Sequence, residues 1–262
     1  MIPAVEFANV SKRFANATAP ALDHVNLAIA PGELVCVLGT SGGGKTTLVK
    51  CINRLHEVDE GRVLVHGEDV AAMDPVELRR RIGYVIQQSG LFPHMTVAQN
   101  IACVPKILKW DRERIDARVE ELLRLVHLDP SEFRDRYPAQ LSGGQQQRVG
   151  LARGLAAKPD LMLLDEPFGA VDAITRKSLQ DELLRIHAES GGTFVFVTHD
   201  VAEACRLATK ILVMDAGRVQ QYGTPEELRA TPATPFVAEL FGSGSHACRD
   251  AASAPEQTGG RP

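Results

Sequence analysis

The ten residues "LGTSGGGKTT", Leu38 to Thr47, hold four glycines, a lysine and four hydroxyl side chains. Before them "ELVCV" reads as a buried strand, and after them "LVKCINRL" reads as a helix. Gly39, Gly44, Lys45 and Thr46 fit the spacing G-x-x-x-x-G-K-[ST], which describes a phosphate-binding loop. Glycines there let successive backbone N–H groups converge on phosphate oxygens with no Cβ in the way. The following helix points its positive end at the same place. Lys45 is expected to reach the β- and γ-phosphates, and the Thr46 hydroxyl to bind Mg²⁺. Thr40, Ser41, Gly42, Gly43 and Thr47 complete the expected nucleotide-binding set.

Working outward, strand patterns fall at Val5–Phe7, Val25–Ile29, Leu34–Leu38, Val63–Val65 and Gly83–Ile86, with a helix from about Lys45 to Leu55. "DPVELRRR" starts a helix, with Asp74 as N-cap, Pro75 first and Glu77 completing a capping box. Its basic run, Arg79–Arg81, reads as a solvated face. From Thr96 to about Leu128 the pattern turns helical, with Ile115, Val119, Leu122, Leu123 and Val126 spaced near 3.6 residues. The alternation then resumes: "LMLLD" a strand, "ITRKSLQDELLRIHAE" a helix, and "TFVFV", "KILVMD" and "RVQQY" strands. "TPEEL" opens a late helix capped by Thr224. Alternating strands and helices imply an α/β fold with a mostly parallel sheet flanked by helices. The helical stretch suggests an inserted subdomain at roughly 90–158, and the polar residues 243–262 suggest a disordered tail. "LMLLDEP" ends in Asp165 and Glu166, carboxylates carried to the sheet's carboxyl edge beside the phosphate loop. Asp165 suits the Mg²⁺ shell, and Glu166 suits the polarising of an attacking water.

Composition narrows the class. Among 262 residues, 44% are hydrophobic and 24% charged, with a formal net charge of −4. That balance gives no support for nucleic acid as the main partner. No apolar run approaches the roughly 18 residues of a membrane-spanning helix, and the start shows no signal-peptide pattern. Five cysteines without C-x-x-C spacing read as reduced thiols, mostly core filler.

Between the two halves of the phosphate site lies "LSGGQQQRVGLARGLA", residues 141–156, and here the chain resembles the ATP-binding-cassette ATPases. Ser142 and the amides of Gly143 and Gly144 lie at a helix start and suit an anion. The resemblance implies that Leu141, Ser142, Gly143, Gly144 and Gln145 touch the γ-phosphate of ATP held by another subunit. The active form is then a head-to-tail dimer, a homodimer or a pair with a related ATPase subunit. It further implies that Phe14 in "VSKRF" stacks on adenine, and that Gln87 in "YVIQQSGLFP" touches Mg²⁺ and the attacking water. Gln88 beside it is an alternative one residue away. Asp172 in "FGAVDA" would face the dimer interface, and His199 in "FVFVTHD" would contact the γ-phosphate. The implied architecture is one cassette domain over 1–242, a P-loop NTPase core with an N-terminal antiparallel β subdomain and the helical insert.

The resemblance covers about residues 4–242 and is strongest to ATPase subunits of bacterial importers for quaternary amines such as glycine betaine, choline, carnitine and proline betaine. It is carried by "CINRLHEVDEGRVLVHGEDV", "LRRRIGYVIQQSGLFPHMTVAQNIACVPKILKW", the stretch from "RDRYPAQLSGGQ" through "LQDELLRI", and "GTPEELRATPATPFVAELFG". Such a subunit sits peripherally at the cytoplasmic face of the cell membrane, with transmembrane permease subunits and a periplasmic or lipid-anchored substrate-binding protein. Thr40 stands where proline is usual, at a position expected to offer only backbone, and Val171 stands for the commoner leucine. Many osmoprotectant relatives continue into paired cystathionine-β-synthase-like domains, so gating by such domains is not expected here. The alternatives are a cassette ATPase for another small solute, such as amino acids, or a soluble one outside transport. A small-molecule kinase has no use for "LSGGQ".

Overall fold

The computed structural model describes residues 1–15, 17–87 and 90–243. Its strands are β1 (Val5–Lys12), β2 (Leu22–Ile29), β3 (Leu34–Gly39), β4 (Glu60–Val65), β5 (Glu68–Asp69), β6 (Ile82–Val85), β7 (Leu161–Asp165), β8 (Thr193–Val197), β9 (Lys210–Asp215) and β10 (Arg218–Gly223). Its helices are α1 (Lys45–Ile52), α2 (Pro75–Arg81), α3 (Val97–Ile101), α4 (Cys103–Ile107), α5 (Arg112–Leu125), α6 (Pro130–Phe133), α7 (Gly143–Leu155), α8 (Ala173–Ser190), α9 (Val201–Leu207), α10 (Pro225–Ala230) and α11 (Pro235–Ser243).

Strands β3, β7 and β8 are buried along almost their whole length, as near-continuous apolar runs covered on both faces must be. Side chains alternate across a strand, and the alternation splits the core in two. Val35, Val37, Leu161, Leu163, Val195 and Val197 face one cluster, shared with β1, β2, β4 and α1. Leu34, Cys36, Leu38, Met162, Leu164, Phe194 and Phe196 face the other, shared with α3, α5, α7 and α8. Each fully buried side chain of this kind contributes roughly 1.5–3 kcal/mol.

The main sheet runs β10-β9-β3-β8-β7-β6, parallel throughout except for the β9–β10 hairpin. A second, antiparallel sheet runs β2-β1-β4-β5. Helices α3 to α7 all fall between β6 and β7. The fold class is the expected one, and the parallel order brings the carboxyl ends of β3, β7, β8 and β6 to one edge. In open α/β sheets that edge is where ligands bind.

Several expectations change in detail. Helix α1 stops at Ile52, not Leu55. Arg54 turns left-handed (φ 52°), and the amides of Leu55 and His56 close back on the Lys50 carbonyl. The stretch after Thr96 is three helices. Pro105 interrupts the backbone ladder, Lys109 takes a positive φ, and Asp111 caps α5 afresh by accepting from the Arg114 amide. Asp74 caps α2 as expected, but Glu77 pairs with Arg80 in place of closing a capping box. Arg79 is more than a solvated side chain: it donates to the carbonyls of Asn53 and Arg54 at the end of α1. Cys36, Cys51 and Cys103 are free, the first two buried in the core, in line with the expectation of reduced thiols that mostly fill the core. Gln88, Cys248 and the expected tail beyond Ser243 lie outside the described residues. Among the described residues no helix is long and apolar enough to cross a membrane.

Candidate nucleotide site

Residues 40–44 link β3 to α1 as a wrapped loop, and two glycines, Gly39 at the end of β3 and Gly42 within the loop, are demanded for different reasons. At Gly39 (φ 147°) a Cβ would stand 1.9 Å from the Met214 carbonyl oxygen of β9, so the neighbouring strand itself excludes a side chain. At Gly42 (φ 77°) a Cβ would meet nothing within 4 Å. That glycine faces open space, and only its left-handed backbone requires it. Thr40 offers more than backbone: its hydroxyl donates to Asp215 Oδ1 at 2.8 Å and ties the loop to the end of β9.

The loop walls a cavity of about 380 Å³ lined by Gly39, Ser41 to Thr47, Gln87, Glu166 and His199. Lys45 is 9% exposed. Its Nζ donates to the carbonyls of Gly39 (2.9 Å) and Thr40 (2.7 Å). Burial holds its pKa below the ordinary lysine value, opposed by the charges of Glu166 and Asp165. The Thr46 hydroxyl donates to Asp165 Oδ1 at 3.2 Å. Asp165 ends β7 and is only 3% exposed. Burial raises its carboxyl above the usual range and Glu166 adds to that, while Thr46, Lys50 and Lys45 pull it down. A carboxylate held dry beside a hydroxyl favours a cation.

Glu166 is reached by Gln87 Nε2, which donates to its Oε2 at 3.0 Å, and by His199 Nδ1, 3.6 Å from its Oε1. Its backbone is left-handed at φ 49°. The strain is held by its amide, which donates to the Val197 carbonyl at 3.0 Å, and by its carbonyl, which accepts from Gln147 Nε2 at 2.8 Å. The elements therefore converge as the sheet order requires: β3 brings the loop, β7 the two acids, β8 the turn with His199, and β6 leads to Gln87.

Phe14 lies apart. It is 38% exposed and outside the cavity lining, its ring edge-on to His56 at 5.1 Å, with Lys12 Nζ 5.7 Å from its centroid. Leu141 to Gln145 also lie outside that cavity. Ser142 caps α7 in a reciprocal box: its hydroxyl accepts from the Gln145 amide, and Gln145 Oε1 accepts from the Ser142 amide. A Cβ on Gly144 would stand 3.1 Å from the Ala170 carbonyl oxygen, so the start of α7 abuts the loop before α8. Asp172 is exposed and caps α8 by accepting from the Thr175 amide at 3.0 Å, a bond that lowers its pKa.

Two polar residues escaped the sequence reading. Gln147 is buried under the Glu166 turn. Glu203 is half-buried under the His199 turn, where Thr198 and Gln180 donate to its oxygens. Each sits four residues before a buried leucine (Leu151, Leu207) on its helix. A polar residue on an apolar stripe was the available signal.

A model of the ABC transporter family matches residues 22–169. The chain is 55% identical, over 222 residues, to the glycine betaine/carnitine/choline transport ATP-binding protein of Bacillus subtilis, covering 85% of this chain and 58% of that one. It is 52% identical, over 238 residues, to the glycine betaine uptake system ATP-binding protein of Escherichia coli, covering 91% and 76%. The chain thus spans under two thirds of the Bacillus protein's length. A solved dimeric ATP-binding cassette in a post-hydrolysis state, bound to ADP and Pi, matches with a TM-score of 0.77 at 35% identity, over 84% of this chain and 98% of that one. With its phosphate loop, strand-end acids and "LSGGQ" helix on one mostly parallel sheet, the chain belongs to the ABC transporter family.

Proposed function

We propose that this chain is the ATP-hydrolysing subunit of an importer for quaternary amines of the glycine betaine and choline type. The observation that carries the ATPase reading is the convergence of Lys45, Thr46, Glu166, Gln87 and His199 on one cavity, with Asp165 held behind it by the Thr46 hydroxyl. The relatives' names and identities support the solute class.

In this reading the loop amides and Lys45 hold the phosphates, and Phe14 stacks on adenine. The oxygens of Thr46, Asp165 and Gln87 form a hard donor set that fits Mg²⁺, which keeps several waters and phosphate oxygens beside one or two carboxylates. Among the described residues no cluster of three His, Cys, Asp or Glu side chains competes for a metal. When bound, Mg²⁺ neutralises charge on the transferring phosphoryl group. Glu166, aligned by Gln87, orients and polarises the attacking water, and His199 meets the γ-phosphate. Positioning and electrostatics then carry the rate.

The chain works as a head-to-tail dimer, Ser142 of each copy facing the phosphate held by Lys45 of the other and Asp172 lying at the interface. It sits at the cytoplasmic face of the membrane on a separate permease fed by a substrate-binding protein. Residues 1–242 act as one cassette domain with a helical subdomain at about 90–158.

The test uses the chain assembled with its permease in lipid vesicles, comparing ATPase rates with and without glycine betaine, choline and the binding protein. Stimulation by a quaternary amine is the expected result. Basal hydrolysis without stimulation would keep the ATPase and remove the solute; no hydrolysis would remove both.

A further inference from the structure

The turn that carries Glu166 is clamped at both ends by one side chain. Gln147 lies in the second turn of α7, five residues beyond Ser142, and is 3% exposed. Its Nε2 donates to the Glu166 carbonyl at 2.8 Å, and its Oε1 accepts from the Ala170 amide at 2.8 Å. A carbonyl requires the amide's donor and an N–H its acceptor, so only one orientation of the group satisfies both. The Glu166 backbone needs such support, because its left-handed φ of 49° is unfavourable for a side chain of that size. Its amide is held by β8 through Val197, and its carbonyl by Gln147 together with the Gly169 amide. The same helix abuts the far end of the turn, where Gly144 meets the Ala170 carbonyl oxygen.

We infer that Gln147 is a positioning residue that fixes the Glu166 carboxylate from the "LSGGQ" helix. The inference rests on the proposed ATPase reading. Gln147 lines no part of the nucleotide cavity, so its work is done through Glu166. It ties the placement of one copy's carboxylate to the helix whose first turn would face the other copy's nucleotide.

The test measures steady-state ATP hydrolysis and binding of a non-hydrolysable ATP analogue on the full chain, for the wild type, Gln147→Met, Glu166→Gln and the double variant. Methionine keeps the length and loses both hydrogen bonds. A displacement of about 1 Å at a catalytic group costs roughly 100-fold, so Gln147→Met is expected to lower kcat by roughly 10- to 100-fold, with KM and analogue affinity unchanged. With the carboxylate already gone, its placement no longer matters, and the double variant is expected to match Glu166→Gln in single-turnover rate. A purely structural role would instead give additive losses. The inference is overturned if Gln147→Met keeps kcat within about twofold of the wild type, if binding falls along with kcat, or if the losses add. Gln147→Glu, the same size and still able to accept from Ala170, is measured alongside; failure of both variants to fold would assign Gln147 to stability and likewise overturn it. A wild type that binds ATP and never hydrolyses it removes the ATPase reading itself, and the inference falls with it.

Discussion

At the scale of single residues, the site sets two carboxyl groups to different tasks by their surroundings. Asp165 is dry and its pKa is raised by burial, which suits a cation. Glu166 is met by two side chains able to orient it, Gln87 and His199. Glu166→Gln keeps the shape and removes the carboxylate proposed above to polarise the attacking water. The variant is expected to bind ATP with wild-type affinity and to hydrolyse it roughly 10²- to 10⁴-fold more slowly; wild-type turnover would exclude Glu166 from the chemistry. Glu203 is a third case. Its pKa is raised above the ordinary 4.5, mainly by burial and further by Asp200, against the bonds from Thr198 and Gln180 and the charge of Arg176; the buried thiol of Cys36 also senses it. A carboxyl whose folded pKa exceeds its unfolded one stabilises the fold fully below pH 4.5 and loses that contribution as pH rises through the folded pKa. Glu203→Gln, neutral throughout, is therefore expected to be more stable than the wild type at neutral pH, by a margin that shrinks towards pH 4.5. Urea unfolding across that range checks this, and a margin independent of pH would assign the effect to shape.

At the scale of elements, the phosphate loop is where strand packing and ligand binding share one backbone. Gly39→Ala would drive a Cβ to 1.9 Å from the Met214 carbonyl oxygen, against the β3–β9 pairing, and no flexible side chain can give way. A loss of about 3 kcal/mol or more is expected. Gly42→Ala meets open space and carries only its left-handed backbone penalty, roughly 1–2 kcal/mol. Thermal unfolding of the two variants separates these costs, and equal losses would refute the steric account. The contrast also explains what could be read from the sequence. Strands β3, β7 and β8 were legible because burial on both faces makes their residues apolar throughout. Strands β1 and β2 were read too short, because register shifts after Phe7 and after Val10, with positive φ at Asn9 and His24, break the alternation along polar residues. The loop and strand-end acids were legible because a phosphate-binding loop of the kind proposed, with its cation, demands particular groups at fixed spacing. Gln147 and Glu203 were not, since their partners are a backbone carbonyl and amide in one case and the Thr198 hydroxyl and Gln180 amide in the other, which only the folded chain brings near.

At the scale of the whole molecule, the cavity around Lys45 and the helix start at Ser142 are separate features of one chain: the lining of the first includes no residue of the second. If each copy supplies half of the other's site, two defective chains can complement. Lys45→Ala removes the phosphate contact, and a homodimer of it has no working site. Ser142→Asp keeps a good helix N-cap while placing negative charge where a phosphate must come, so its homodimer also fails. In a heterodimer one composite site carries both defects and the other carries neither. Random mixing in equal amounts makes half of the dimers mixed, each with one intact site of two, so roughly a quarter of wild-type sites should return under two-fold pairing. The measurement is ATP hydrolysis by each variant alone and by the mixture, followed over time after mixing so that exchange of copies is visible as a rising rate. Recovery towards a quarter means that the sites are shared across the dimer, because no single chain in the mixture is intact. A mixture as inactive as its parts would mean that Ser142 of one copy does not serve the nucleotide of the other, and the head-to-tail arrangement would have to be given up.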